Sequence, residues 1–347
     1  MKRHRLGLIG CGSMANSHAS RFEACQDRME VTALVDIVPE RGAALSALLP
    51  NHPPVFTDYR DAFSSCDVVL QALPHHLHAD CVVDCLNAGK DVLCEKPLAN
   101  SEADCRRMIA AAEGQSRILM VAYCMRFHPL LAELKRLLDE EVYGKCFQLS
   151  IWTEQYTDLS RGDWLGDEKR LGGGQLFSHG CHYIDLLLWM LGEPVEGAHI
   201  GTRLGAEWVA REGSSNVTIK FASGAMGYHF GTWGARGTQH GYNFQAHCTQ
   251  GMIEVDITHG RLLIHSNLKD HVPGEPEDCR SKELMTAPAA KPTVQELLHF
   301  LDCVETRREP LTNGPDSLAG LRVIWELYRA EDEHRLADLR QLWPVRR

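Results

Sequence analysis

The sequence predicts an α/β chain: a doubly wound parallel sheet first, then an α/β domain built on a large open, mostly antiparallel sheet. Three observations carry this reading. An apolar run, Leu6-Gly7-Leu8-Ile9, passes directly into Gly10-Cys11-Gly12-Ser13-Met14-Ala15. Strand-like and helix-like segments then alternate as far as residue 122. Beyond residue 146, short β-branched and aromatic segments succeed one another with turns between them. At 347 residues the chain is too long for one ordinary core, so two domains are expected, 1–122 and 123–347.

Taken in order, the first turn is the strand-to-helix turn of a dinucleotide-binding fold. Gly10 permits the tight turn, Gly12 lets the backbone approach a pyrophosphate, and the small Ala15 lets helix and strand pack closely. Ser13 and Met14 lie in the same turn and complete the expected phosphate cradle, where free N–H groups and the helix dipole favour an anion. A helix is expected over 17–24. Val31-Thr32-Ala33-Leu34-Val35 then reads as a strand ending at Asp36, placed to hydrogen-bond the adenosine ribose and to repel a 2′-phosphate. NAD is therefore favoured over NADP, with Arg41 the nearby group that favours the latter. The alternation continues with a strand at 66–71, a helix at 77–88 closed by Gly89, a strand at 91–94, a helix at 101–115 opened by Ser101 and Asp104, and a strand at 118–122.

Gly10, Asp36, Pro74 and Glu95-Lys96-Pro97 all fall just past predicted strand ends, where the ligand crevice of such a sheet lies. Lys96 would face the nicotinamide, with Pro74, His75 and Glu95 on the same rim. The cluster His75-His76-Leu77-His78 reads as loop packing or cofactor-pocket lining and not as a metal site, because adjacent histidines at a helix start point in different directions. No metal is expected.

The second half changes character. A helix at 129–141 leads into a strand at 147–153. Further strands are expected at 216–221, 225–232, 242–248, 252–256 and 262–265, with hairpin turns at Ser223-Gly224 and Gln250-Gly251. Residues 267–292 are rich in Pro and charge and read as a loop. Thr293-x-x-Glu296 reads as a capping box opening a helix, and Pro315-Asp316 opens another. Between these regions runs Gly172-Gly173-Gly174-Gln175-Leu176-Phe177-Ser178-His179-Gly180-Cys181-His182-Tyr183-Ile184-Asp185. Ile184, Leu187, Leu188 and Leu191 fall on one helical stripe, and at 100° per residue Ser178, His182 and Asp185 fall opposite it. That helix is expected to anchor one side in the core and present a hydroxyl, an imidazole and a carboxylate on the other. The three glycines would let a cofactor or substrate approach its start.

Composition excludes several classes. A net charge of -10 argues against a nucleic-acid partner. No apolar run approaches the ~20 residues that span a membrane. The basic start, Met1-Lys2-Arg3-His4-Arg5, lacks the apolar stretch of a signal peptide, so a cytoplasmic location is expected. Thirteen cysteines, with no Cys-x-x-Cys pair, suit reduced, buried thiols.

Taken together, Gly10-x-Gly12-x-x-Ala15, Glu95-Lys96-Pro97, Arg126-Phe127-x-Pro129 and the triple-glycine to His182-x-x-Asp185 block resemble the Gfo/Idh/MocA family of NAD(P)-dependent sugar and inositol oxidoreductases. The resemblance covers nearly the whole chain. It implies a Rossmann domain followed by an α/β domain whose open sheet packs face to face in homodimers or homotetramers. It also implies that Lys96 contacts the nicotinamide region and the substrate hydroxyl, that His182 is the general acid/base, and that Asp185 binds substrate or supports His182. Two departures stand out: Ser178 occupies the position where the family often has Asp, with His179 beside it, and Cys124 replaces a more usual amide residue. Arg126, Tyr156, Trp164, Ser178, His179 and Trp233 are the candidates to contact substrate. The expected activity is hydride transfer between a carbohydrate or cyclitol hydroxyl and nicotinamide. Its rivals are a redox-neutral oxidoreductive glycosidase and a non-catalytic NAD-binding regulator.

Overall fold

Leu6, Leu8 and Ile9 form the buried part of β1 (His4–Ile9), the centre of the first sheet in this computed structural model, which describes residues 3–157, 164–266 and 280–342. The chain continues through α1 (Ser13–Ala19), β2 (Met29–Val35), α2 (Pro39–Leu48), β3 (Val55–Phe56), β4 (Val68–Gln71), α3 (His78–Asn87), β5 (Asp91–Cys94), α4 (Glu102–Gly114) and β6 (Leu119–Val121). The strands lie in the order β3-β2-β1-β4-β5-β6 with every pair parallel. β4 and β5 are buried throughout and β1 from Leu6 to Ile9, as sheets covered on both faces require. Helix α1 begins at Ser13, directly after Gly12, and not at residue 17 as expected. The Ser101 hydroxyl caps α4 by accepting from the Asp104 N–H (3.1 Å).

The second half contributes α5 (Pro129–Asp139), β7 (Cys146–Glu154), the short α6 (Glu168–Leu171) and α7 (Cys181–Leu191), which is preceded by a π-helical turn at Leu176–Gly180. Then follow β8 (Pro194–Thr202), β9 (Ser214–Phe221), β10 (Met226–Thr232), β11 (Tyr242–Cys248), β12 (Gly251–Asp256), β13 (Arg261–Ser266), β14 (Arg280–Thr286), α8 (Thr293–Thr306), α9 (Gly314–Asp332) and β15 (Ala337–Asp338). The nine strands order as β14-β13-β12-β11-β7-β10-β9-β8-β15, antiparallel except where β7 meets β10. Alternate residues, among them Leu149, Ile151, Val217, Ile219, Phe244, Ala246, Ile253 and Val255, turn to one buried face, against which α5 and α7 pack. Strand β8 escapes sequence patterning because Pro194, Gly197 and Gly201 interrupt it. Strand β14 corrects the loop expected over 267–292, whose residues 267–279 lie outside the described ones. No helix among the described residues is long and apolar enough to cross a membrane. The cysteines among them are free thiols, buried except for Cys146.

The chain folds as two compact units, and a single cut at residue 122 does not separate them. The first comprises Met1–Cys124, Lys169–Gly172 and Pro292–Leu318; the second comprises Met125–Glu168, Gly173–Lys291 and Ala319–Arg347. The return of 292–318 has a physical reason. The edge of β6 would otherwise expose unpaired backbone, and the 312–313 segment covers it: Val121 N–H donates to Thr312 O (2.8 Å), and Met120 bridges Asn313.

The capping box expected at α8 does not form. The helix is capped by Pro292, whose carbonyl accepts from Glu296 N–H (3.1 Å), so the frame is shifted by one residue. Thr293 and Glu296 are both buried, and neither the Thr293 hydroxyl nor either Glu296 oxygen has a hydrogen-bond partner. Burial, and secondarily the Glu95 carboxylate, holds the Glu296 carboxyl well above its ordinary value of 4.5. Below that value folded and unfolded chains both carry the proton. Above it the unfolded chain releases the proton and the folded one retains it, so Glu296 lowers stability progressively as pH rises, by about 1.4 kcal/mol per unit. Glu296→Gln is therefore predicted to match wild type in melting temperature near pH 4 and to exceed it increasingly from pH 5 to 8. Parallel curves across that range would refute a neutral Glu296.

Candidate active site

In the first unit, Gly10 adopts a φ of +89°, and a Cβ there would lie 2.4 Å from the Ala72 carbonyl oxygen, so the turn after β1 requires glycine. A Cβ at Gly12 would meet nothing within 4 Å, and α1 starts without a side-chain cap. Open backbone at a helix start fits the phosphates of a dinucleotide. Ala15 is buried against the sheet, Met14 is half-buried and Ser13 exposed. Asp36 stands at the end of β2, as expected, and has a second task that sequence reasoning missed. Its carboxylate accepts from the Cys11 N–H (2.9 Å) and the Val38 N–H (2.9 Å), bracing the glycine turn against the next strand end. Arg41 is exposed on the first turn of α2.

At the end of β5, buried Glu95 accepts the Lys96 backbone N–H (3.2 Å) and pairs with His18 Nε2 (2.8 Å). The half-buried Lys96 backbone is thus fixed from α1 as well as from its own strand. Pro74 opens the turn that carries His75, which is buried with its Nδ1 2.8 Å from Leu171 O. Burial, then the neighbouring His78 and Lys96, drives His75 well below the ordinary imidazole value, so it is neutral. His78 spans the Leu73 and Pro97 carbonyls at 2.8 and 2.9 Å, tying the loops after β4 and β5 together. Among the described residues no group of three or more His, Cys, Asp or Glu could hold a metal.

In the second unit the helix carrying His182 departs from expectation. Ser178, His182 and Asp185 are not on a solvated face: they are 5%, 8% and 2% exposed. The 100° wheel fails through Leu176–Gly180, where the turn is π-helical, and the helix is covered by the sheet and by α5. Asp185, expected to bind substrate or support His182, accepts from Arg126 Nε (2.7 Å) and Nη2 (2.6 Å), a bidentate pair buried on both sides. Arg126, expected to bind substrate, also lies over the Trp189 ring at 5.4 Å. Charges buried this deeply persist only when matched, which explains why each holds the other.

The glycine block makes room for side chains of the same unit. A Cβ on Gly174 would sit 2.2 Å from the Glu212 carboxyl, and one on Gly173 would sit 2.6 Å from the Phe177 side chain. The chain's own side chains, Glu212 foremost, make the close approach. His179 is half-buried, with Nδ1 3.4 Å from the Gln175 amide nitrogen, and the Gln175 oxygen accepts from Ser215 (2.7 Å). Its ring stands edge-on to Tyr183 (5.2 Å), His182 (6.2 Å) and Tyr242 (6.1 Å). Tyr156 is exposed and bridges Gly234, and Trp164 is half-buried. Trp233 is buried and stacks on Trp208 at 5.4 Å, so it is a core residue of this unit. Asp185→Ala should strand Arg126 and destabilise the protein by about 3–5 kcal/mol in urea unfolding. A loss below about 1 kcal/mol would show that the pair is dispensable.

Comparison with known proteins agrees with this geometry. The profile described as "Oxidoreductase family, NAD-binding Rossmann fold" matches residues 4–123, and that of the "GFO/IDH/MocA C-terminal domain" matches 131–254. The chain is 26% identical over 227 residues to inositol 2-dehydrogenase of Salmonella typhimurium, an alignment covering 62% of this chain but only 65% of that protein. It is 28% identical over 307 residues to 2,7-anhydro-N-acetylneuraminate hydratase of Escherichia coli, covering 81% of this chain and 76% of that one. The solved structure of levoglucosan dehydrogenase with NADH shares the fold, with a TM-score of 0.86 at 21% identity over 98% of this chain and all of that one. With the family's two domains matched in order along it, the chain belongs to the Gfo/Idh/MocA oxidoreductases, its first domain being the NAD-binding Rossmann fold.

Proposed function

We propose that the protein is an NAD-dependent oxidoreductase acting on a hydroxyl of a carbohydrate or cyclitol. The observation that carries this is the retention of Lys96, at the end of β5 in the NAD-binding unit, together with His182 near the start of α7. Bound NAD would supply the hydride acceptor. Lys96, its backbone held by Glu95, polarises the substrate oxygen and stabilises the charge that develops there. His182 takes the hydroxyl proton during oxidation and returns it during reduction. Asp36 holds the ribose end, with Ser13, Met14, Pro74, His75 and Arg41 lining the cofactor side. Ser178, His179, Tyr156 and Trp164 contact the substrate. The buried Arg126–Asp185 pair fixes the helix that carries His182, and from there Asp185 supports His182 or binds substrate, with Arg126 beside it. The names of the inositol and levoglucosan dehydrogenases support a polyol or sugar as the substrate class.

A homodimer or homotetramer through the nine-stranded sheet is proposed as the assembly. Trp152, Tyr228 and the exposed Met226 alternate with buried residues on β7 and β10, giving the sheet an aromatic outer face that suits a second copy.

His182→Ala is predicted to lower kcat by about 10²–10⁴-fold, measured on the hydroxyl compound returned by a screen of polyols, sugars and glycosides, with NADH affinity unchanged by fluorescence titration. Full turnover in that variant would remove His182 from the role. A second reading, redox-neutral chemistry through transient oxidation and elimination, is favoured by one observation: a relative covering 81% of this chain is named a hydratase, and addition of water has no net oxidation. The two readings separate in one cuvette. Net oxidation should build up NADH absorbance at 340 nm in step with product, whereas the redox-neutral path should release product with catalytic NAD and a flat trace.

A further inference from the structure

We propose that Glu212 and Tyr328 are positioning residues that together fix the start of the His182 helix and so set the orientation of its imidazole. The inference rests on the catalytic reading of His182 given above. A helix leaves its first four N–H groups without partners inside the helix. Here all four are taken by these two residues. Gly174 N–H and Phe177 N–H donate to the Tyr328 hydroxyl oxygen (3.1 and 3.2 Å), Gln175 N–H donates to the Glu212 carbonyl (2.8 Å), and Leu176 N–H donates to Glu212 Oε1 (2.9 Å). The Tyr328 O–H in turn donates to Glu212 Oε1 (2.7 Å). The phenol therefore uses its one donor and both of its lone pairs.

The arrangement is specific to its site. Glu212 and Tyr328 are buried, and the carboxyl lies so close to the backbone that only glycine fits at 174. Arg211 closes the far side, its guanidinium 4.0 Å above the Tyr328 ring and its Nε 3.9 Å from Glu212 Oε2. A carboxylate at a helix start is also favoured by the helix dipole. Burial opposes this and pushes the Glu212 carboxyl up to about 7, against the pull of the Leu176 N–H, the Tyr328 hydroxyl and Arg211.

The link to His182 is geometric. The π-helical turn follows immediately, His182 is the second residue of α7, and Asp185 one turn further on is locked to Arg126. His182 is thus bracketed by two fixed points in one continuous helical segment. Loosening the first lets the segment turn about the second, and a displacement of about 1 Å at a reacting group can cost about 10²-fold in rate.

The test needs no substrate. Nitrogen NMR of the imidazoles, with the His182 signal identified by its loss in His182→Ala, gives the tautomer and titration midpoint of His182 in the NADH-bound protein. Tyr328→Phe keeps the ring and removes the shared oxygen. It should speed deuterium exchange about tenfold in peptides covering 173–181, move the His182 midpoint by at least about half a unit, and leave NADH affinity unchanged. Glu212→Asp, which withdraws the carboxylate by one methylene, should shift both readings in the same direction with the fold intact and serves if Tyr328→Phe does not fold. Glu212→Gln keeps the acceptor for Leu176 and Tyr328 and should restore the wild-type tautomer. Faster exchange with an unmoved His182 signal in Tyr328→Phe and Glu212→Asp would reduce the pair to a stability device and overturn the proposal. If His182→Ala retains turnover, the catalytic reading falls separately, since the imidazole signal reports position whatever the residue does.

Discussion

A buried helix that carries polar side chains must find partners for them within the protein, and residues 174–191 are organised by that constraint. The Asp185 carboxylate is matched by the Arg126 guanidinium with two short hydrogen bonds, neither group more than 3% exposed. The backbone N–H groups at the start are matched by Glu212 and Tyr328, and the Gln175 amide by Ser215 and His179. These bonds tie the helix to the chain before α5, to the Glu212–Ser215 segment that enters β9, and to α9, while the Gln175–His179 contact lies within the helical segment itself. The helical segment that carries His182 is thus fixed at its start and again at Asp185.

The first unit was legible because its signals are local. Gly10, Gly12 and Ala15 stand in one turn, strand periodicity gives way to helical periodicity within a few residues, and Asp36, Pro74 and Lys96 each fall within three residues of a strand end. The second unit was legible only where a strand alternates cleanly, as in β9 and β11. Strand β8 was hidden by its proline and glycines, and β14 by the charged composition around it. The Thr293/Glu296 spacing matched a capping box, but spacing cannot report that the helix begins one residue earlier in frame or that both side chains are buried.

The site shows the same limit more sharply. The triple glycine announced that something approaches the backbone closely, without saying what. The partner of Leu176 is 36 residues away and that of Gly174 is 154 away, so no local pattern could name Glu212 or Tyr328. The helical wheel likewise assumed a constant 100° per residue, and a π-turn breaks that assumption where Ser178 sits. The Ser178 departure from the family pattern also looks different with the structure in hand. Asp185, a candidate source of the missing negative charge, has that charge balanced by Arg126.

The route of the chain has a consequence for how such proteins can be recombined. Since 292–318 belongs with the NAD-binding unit and covers the edge of β6, the chain is not two beads on a string. A fragment ending at 122 would carry an open parallel edge and lack α8, so it would be prone to self-association. An exchange of the second unit with that of a relative would have to replace 125–168, 173–291 and the tail after 318 together, with every junction respected. Transplanting everything downstream of residue 122 would remove part of the nucleotide-binding unit along with the second unit.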